Sequence, residues 1–200
     1  MMRPLIILIG LGCIVNGCQP VPDAEELNQD LVVQTDYDGS VDFGAYATYT
    51  LALDTLGLIS NSTSDTLQLG KYAVDVTTRI KANMDARGYT FVDKNQNPDL
   101  GVVAFIVSDF SVYQTISYPG YGGGYYSPYY GYYYPRVNTY ASNSAALILQ
   151  LVDLNKKTAQ NQFKLIWACY IGDIASSIDP FQKSVEAVDQ AFVQSPTIGK

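Results

Sequence analysis

Two stretches of the chain space their apolar residues as an amphipathic α-helix does. The first spans about residues 69–87 and is followed directly by Gly88, which suits a left-handed C-terminal cap. The second spans residues 179–196, where Asp179 favours an N-cap and Pro196 ends the pattern. The apolar stripes are Ala73, Val76, Ile80 and Met84 in the first helix, and Phe181, Val185, Val188 and Phe192 in the second.

The other apolar runs are short, rich in β-branched and aromatic residues, and bounded by polar turns, which is typical of β-strands. Residues 54–65 are polar and rich in Ser and Thr, and we interpret them as a loop. A polar turn at residues 155–158 joins the last two runs, which look like a hairpin at the centre of a sheet. The predicted strands cover residues 31–37, 46–53, 89–92, 100–113, 145–153 and 163–172.

The order of these elements is strand, strand, helix, three or four strands, and a final helix. This order favours an α+β fold. We predict a mainly antiparallel sheet of about five to six strands with two helices packed on one face, plus a Gly/Tyr-rich hairpin extension. A chain of 200 residues, 48% of them hydrophobic, is sufficient for one such domain.

The N-terminus has a different pattern. One cation, Arg3, precedes an apolar run at residues 5–15, which is typical of a signal peptide and too short to span a bilayer as a helix. Residues 15–18 (VNGC) resemble a bacterial lipobox, apart from Asn16, where a small residue is usual. The resemblance implies cleavage before Cys18, which would then carry a diacylglyceryl thioether and an N-acyl chain such as palmitate. Three acyl chains would give a stable membrane anchor.

These features divide the chain into three parts. Residues 1–17 are the predicted lipoprotein signal peptide, residues 18–30 a lipid-anchored tether with two prolines, and residues 31–200 a single α+β domain. Gln19, and not an aspartate, follows Cys18, which resembles the sorting signal for the outer membrane. We therefore expect a lipid-anchored protein of the bacterial cell envelope.

Charge and titratable residues restrict the function classes. Lys and Arg number 12 against 19 Asp and Glu, which argues against nucleic-acid binding because phosphate contacts need clustered cations. The chain has no histidine, so a Ser-His-Asp or Cys-His catalytic arrangement is excluded. We predict no cofactor, no metal site and no catalytic residue.

The three cysteines fit the lipoprotein interpretation. Cleavage would remove Cys13 and acylation would use Cys18, which leaves Cys169 as the remaining thiol. No intrachain disulfide is then possible, and we interpret Cys169 as a buried small hydrophobic residue. Loss of Arg3 with the signal peptide changes the formal net charge from −7 to −8.

Several short motifs, taken in order, resemble a known family. They are residues 42–49 (DFGAYATY), 87–89 (RGY), 97–100 (NPDL) and 151–153 (LVD), together with Trp167. Over residues 31 to about 196 the chain resembles the bacterial envelope lipoproteins that carry domain of unknown function 4136. The resemblance implies an envelope lipoprotein, and it implies no activity, substrate or catalytic residue.

Residues 117–135 (SYPGYGGGYYSPYYGYYYP) form a tyrosine-rich loop between two predicted strands. Glycine and proline at this density do not sustain a regular strand ladder. Tyrosine offers a large contact area, few rotors and a polar tip, so we hypothesise that the loop contacts an envelope protein or a glycan. A spacer, or a segment that folds back over the domain, is the other interpretation. The candidate contact residues are Tyr121, Tyr125, Tyr126, Tyr129, Tyr130, Tyr132, Tyr133 and Tyr134.

Carboxylates are the remaining candidates for chemistry. Three aspartates cluster near a turn, but their spacing does not fit an EF-hand loop, and we favour a solvated turn. Three others lie near the ends of predicted strands, where a pair would suit general acid–base cleavage of a glycoside. The first set is Asp36, Asp38 and Asp42, and the second is Asp109, Asp153 and Asp173. We expect a non-catalytic binding or assembly-support module, and a glycan-active enzyme that uses paired aspartates is the alternative.

Overall fold

The computed structural model describes residues 31–59, 67–108, 145–157, 163–172 and 179–200. In these residues the chain forms one eight-stranded sheet and two α-helices. The predicted signal peptide, tether and tyrosine-rich loop lie outside them. The elements are β1 (Val32–Tyr37), β2 (Thr48–Leu51), β3 (Thr55–Ile59), β4 (Leu67–Leu69), α1 (Lys71–Ala86), β5 (Thr90–Phe91), β6 (Leu100–Val107), β7 (Ala146–Lys157), β8 (Phe163–Gly172) and α2 (Pro180–Val193).

The predicted hairpin does form the centre of the sheet. The strand order is β1-β8-β7-β6-β2-β5, while β3 pairs with the second half of β6 and β4 pairs with β3. The ladders from β1 through β8 and β7 to β6 are antiparallel. The long apolar runs of β7 and β8 therefore lie between other strands, where both of their edges are hydrogen-bonded.

The sheet differs from the predicted one in strand number and in strand direction. β2 and β3 both run parallel to β6, and β5 runs parallel to β2. The reason is α1, because a helix that crosses over the sheet returns the chain for a parallel pairing. β3 also falls in the stretch that we interpret as a loop, and its Leu56 and Ile59 are buried. The fold is α+β, but its sheet is open and mixed, with eight strands in the described residues.

Helix α1 confirms the predicted periodicity. All four residues of its predicted stripe are buried, and so is Thr77, whose hydroxyl lies 2.6 Å from the carbonyl oxygen of Leu53. Gly70 before the helix and Gly88 after it have φ angles of 98° and 87°. Glycine is favoured at both positions because other residues rarely adopt these angles.

Helix α2 confirms its predicted start and corrects its predicted stripe. The Asp179 side chain accepts a hydrogen bond from the backbone N–H of Gln182, and so caps the helix. Val188 and Phe192 are buried, as predicted, whereas Phe181 is 60% exposed. Phe181 lies in the first turn, where its ring packs beside that of Tyr72 at a centroid distance of 4.9 Å.

The two helices run parallel to each other on one face of the sheet. Their first turns meet where the hydroxyls of Tyr72 and Ser184 lie 2.8 Å apart. Further along, Arg79 forms an ion pair with Asp189. At the far end the Arg87 guanidinium donates to the carbonyl oxygen of Phe192 at 2.6 Å. Neither helix in the described part of the chain is long and apolar enough to cross a membrane.

Apolar side chains cover both faces of the central strands. The main core joins the buried sides of both helices to one face, which includes Leu147, Leu149 and Leu151 of β7. The alternate positions of β7, Ala146 and Ile148, belong to a second cluster on the opposite face. Neither helix contributes a buried side chain to that second cluster.

Candidate functional site

The strand registers define two ends of the sheet. At one end, Val32 pairs with Gly172, and Val107 pairs with both Ala146 and Ile59. We call this the upper end; the lower end is where β6 begins, at Leu100, opposite Asp153 of β7. β6 spans eight residues, so the two ends are about 23 Å apart at 3.3 Å per residue.

Chain connectivity brings the predicted contact regions to the upper end. Residues 1–30 precede β1, so the chain that carries Cys18 joins the domain there. The connection 109–144, which contains the tyrosine-rich loop, leaves β6 and returns to β7 at the same end. Cys18 and all eight candidate tyrosines lie outside the described residues, and only their attachment points are defined.

Exposed apolar side chains also occur at the upper end. Helix α2 starts there, because it runs parallel to α1, whose Asp85 near the C-terminal end accepts a hydrogen bond from Tyr49, the partner of Leu100 at the lower end. Near the other end of α2, Phe192 packs on Trp167 at a centroid distance of 5.4 Å. Phe192 lies eleven helical positions after Phe181, and Gly172 lies five strand positions after Trp167; each distance is about 16 Å. Phe181 therefore lies close to the level of Gly172. Val32, the first residue of β1, is 44% exposed.

The Asp99 carboxylate links three segments of the chain at the lower end. One of its oxygens accepts hydrogen bonds from the backbone N–H groups of Ala47 and Thr48, both at 2.9 Å. The other oxygen accepts from the Asn155 side chain at 3.2 Å. Burial acts to raise the pKa of Asp99, but these hydrogen bonds outweigh it and hold the pKa below its usual value. Asp99 thus connects the segment before β2 to β6 and β7.

Asp153 is used in a second hydrogen-bonded group at the lower end. Its carboxylate is 1% exposed and accepts a hydrogen bond from the Tyr46 hydroxyl at 2.7 Å. The backbone N–H groups of Asn155 and Lys156 donate to its other oxygen, at 2.9 and 3.1 Å. Burial, followed by the bond to Asp153, raises the pKa of Tyr46. The arrangement fixes the end of β7 against residue 46, and its acceptor atoms are already occupied.

The three aspartates near the first turn are not gathered around a common point. The side chain of Asp38 bonds to Lys164 at 2.6 Å and to the backbone of Ser40, and the bond to Lys164 is the main cause of its lowered pKa. Asp42 accepts from the N–H of Gly44 and caps a short 3₁₀ turn. In the described residues no group of three Asp, Glu or Cys side chains is suited to hold a metal ion.

The three candidate acid–base aspartates are attached at different ends of the sheet. Asp109 directly follows Ser108, and Asp173 directly follows Gly172, so both are attached at the upper end. Asp153 lies at the lower end, about 23 Å away. Carboxyl groups that cleave a glycoside together are about 5 to 9.5 Å apart. Asp109 and Asp173 themselves fall outside the described residues, and of this set the structure describes only Asp153, whose carboxylate oxygens already accept hydrogen bonds.

Cys169 lies in the core, as its apolar neighbours in the sequence predict. Its side chain is 2% exposed, and burial raises the pKa of the thiol above its usual value. A raised pKa keeps the thiol protonated and unreactive near neutral pH. The residue contributes packing to the face of β8 that meets the helices.

Tyr46 and Asp99 lie in two of the short motifs that carry the family resemblance, residues 42–49 and 97–100, but the motifs do not indicate what these side chains bond to. Each acts through a partner more than fifty residues away in the chain, as the Asp99–Ala47 and Tyr46–Asp153 bonds illustrate. The one local signal is the turn Asn97–Pro98 before β6, since an aspartate after a proline turn often bonds to nearby backbone.

The fold and its sites define a class of small α+β domains, with an open mixed sheet and two parallel helices on one face. Within this class the chain belongs to the DUF4136 family, a domain of unknown function, whose pattern matches residues 33–197. No curated protein matches the chain. The family is thus shown, and it provides no activity.

Solved structures agree with this family. A DUF4136 family protein of Bacteroides thetaiotaomicron is 25% identical, with a TM-score of 0.66 over 86% of this chain and 98% of that one. The PelC dodecamer from Paraburkholderia phytofirmans is 9% identical, with a TM-score of 0.39 over 85% of this chain and 99% of that one. The first similarity supports the fold, and the second is too low to support an argument.

Proposed function

We propose that the protein is a lipid-anchored component of the bacterial cell envelope. The observation that carries the proposal is the signal-like run at residues 5–15, followed by the lipobox-like residues 15–18. Acyl chains on Cys18 would hold the protein in a membrane, and Gln19 favours the outer membrane. The tether 19–30 would then lead to β1 of the domain.

The domain is proposed to act as a binding or assembly-support module. Its tyrosine-rich loop, residues 117–135, is the proposed contact with an envelope protein or a glycan. In support, both attachment points of the connection 109–144 lie at one end of a rigid sheet, which would present the tyrosines together. The lower-end carboxylates of Asp99 and Asp153 have a structural use, which favours binding over acid–base chemistry.

The anchor is tested by intact mass and membrane fractionation of wild type beside Cys18→Ala. We expect wild type to begin at an acylated Cys18 and to remain with the membranes. Cys18→Ala should be unprocessed or soluble. Wild type that begins elsewhere and stays soluble would contradict the anchor.

The loop is tested by changing its eight candidate tyrosines to serine, with the same eight changed to phenylalanine as the matched control. Cross-linking in the envelope and pelleting with purified peptidoglycan then measure partner and glycan contact. We expect the serine variant to lose the contact and the phenylalanine variant to keep most of it, since the rings supply the contact area. Equal contact by wild type and the serine variant, both with wild-type unfolding midpoints, would argue for a spacer.

A further inference from the structure

We propose that the upper end of the domain docks on the lipid surface of the membrane, with Phe181 in the contact. This inference rests on the proposed anchor at Cys18, and it adds the orientation of the domain and a second point of contact. The first observation is the position of Leu31, where the anchored part of the chain meets β1 at the upper end.

The tether is short compared with the domain. Residues 19–30 number twelve, and a flexible chain of this length has a root-mean-square span of about 20 Å. β6 alone is about 23 Å long, so the upper and lower ends differ in height by more than that span. Attachment at Leu31 therefore keeps the upper end closer to the bilayer than the lower end.

The chemistry of the upper end suits a lipid–water interface. Phe181 is 60% exposed, although burial of a phenylalanine side chain is favourable. Its ring leans on Tyr72, whose hydroxyl bonds to Ser184, so the aromatic pair has an apolar body and a satisfied polar tip. Aromatic side chains of this kind are enriched at the level of the lipid headgroups.

The charged residues near Phe181 balance one another, so the proposed contact is apolar and not electrostatic. Lys71 at the start of α1 is paired with Asp75 at 2.5 Å, and Lys183 in α2 follows the capping carboxylate of Asp179. These cations and acids balance, so they give no net attraction to anionic lipids. A formal charge of −7 for the whole chain would oppose such attraction. Docking should therefore occur on uncharged lipids and change little with salt.

The test compares two labelled cysteines on the same helix. Phe181→Cys and Val193→Cys place an environment-sensitive fluorophore at opposite ends of α2, and Val193 is 73% exposed in the native chain. Cys169 is buried and stays unlabelled. The anchored protein is placed in phosphatidylcholine vesicles, with and without lipids that carry a quencher. A chain held by an N-terminal histidine tag on nickel-chelating lipid repeats the measurement without Cys18.

We expect a blue shift and lipid quenching at position 181 and neither at position 193, with the same result from low to high salt. Equal signals at the two positions, or none at 181, on membrane-bound protein would overturn the docking. A shift at 181 that arises without vesicles and grows with protein concentration would overturn it in favour of a second copy of the chain. Failure of acylation would overturn only the anchor, because the tagged chain, which lacks Cys18, still reports on docking.

Discussion

Asp99 shows how a single carboxylate can hold an end of this sheet together. It accepts hydrogen bonds from two backbone N–H groups that precede and begin β2, and from the Asn155 side chain at the irregularity of β7 between Asp153 and Lys157. Such charge-assisted bonds are stronger than neutral ones. The residue therefore has a structural role that its half-buried position in a turn would not by itself suggest.

Replacing Asp99 by Asn should lower the free energy of unfolding at pH 7 by about 1.5–3 kcal/mol, since the amide loses the negative charge and keeps only one of the two acceptor oxygens. Urea unfolding followed by the fluorescence of Trp167, the only tryptophan, measures the change. Asp54→Asn, an exposed carboxylate in the turn between β2 and β3, is the matched control and should change little. Equal losses in the two variants would contradict the assigned role.

The same residue predicts a dependence on pH. The pKa of Asp99 is lower in the folded chain than the ordinary value of about 3.9, so the unfolded chain binds more protons as the pH falls. Its stabilisation is therefore complete above about pH 5 and is lost as the pH falls through the folded pKa. Asp99→Asn should show a shallower loss of stability between about pH 5 and pH 3 than wild type. Parallel curves would contradict this.

Gln150, unlike Asp99, is a polar side chain that we expect to lower the stability of the fold. It is fully buried in β7, and neither amide atom makes a hydrogen bond within the part of the chain that the structure describes. A buried amide without partners costs about 1–3 kcal/mol, so Gln150→Leu should raise the free energy of unfolding by about 1 kcal/mol. The control is Thr77→Val, which removes a bonded hydroxyl and should lower it. A loss in Gln150→Leu would contradict the prediction.

At the scale of elements, α1 and α2 are joined by two arginines in different environments. The Arg79–Asp189 pair is on the surface, with the side chains 48% and 37% exposed. The Arg87 guanidinium bonds to the last turn of α2 and lies 4.8 Å from the centre of the Phe192 ring. Surface pairs contribute little, whereas a stacked guanidinium contributes packing and a backbone bond.

Arg87→Lys should therefore cost more than Arg79→Lys. We expect a loss of about 1–2 kcal/mol for Arg87→Lys, which keeps the charge but loses the planar contact. Arg79→Lys should cost less than about 1 kcal/mol. Urea unfolding of each variant gives both values, and a double substitution measures their coupling, since Asn83 donates to Asp189 and accepts from the Arg87 guanidinium. Equal losses would show that charge alone matters.

At the scale of the whole molecule, the buried thiol of Cys169 reports on global opening. It lies in β8, between β1 and β7, and only large openings of the sheet would expose it. Maleimide labelling of Cys169, read by mass spectrometry, should be slow in the native protein and should accelerate with urea in parallel with unfolding. Rapid labelling in the absence of urea would contradict a closed core around β8.

The two ends of the domain differ in structure. The lower end contains carboxylates bonded to backbone and tyrosine, which fix the sheet. The upper end receives the N-terminal segment and both ends of the connection 109–144. The hydrogen bonds that fix the sheet and the attachment points of the long chain segments therefore lie at opposite ends of the domain.

The sequence by itself determined the local elements. Apolar spacing located α1 and the buried half of α2, Gly88 marked a cap with a φ of 87°, and long β-branched runs marked the central hairpin. These features depend on neighbours within a few residues, which is the range that periodicity samples. The N-terminal lipobox and the tyrosine-rich loop remain predictions from the sequence.

Only the tertiary structure decided what depends on distant partners. Periodicity assigns Phe181 to a buried stripe, but burial requires sheet beneath the helix, and the first turn of α2 lies at the level where the sheet ends. The strand β3 looks like a polar loop until it pairs with β6. Asp153 ends an apolar run in the sequence, and only the fold brings its carboxylate to the Tyr46 hydroxyl, 107 residues away in the chain. Register and strand direction arise from pairings between remote segments, and no local pattern encodes them.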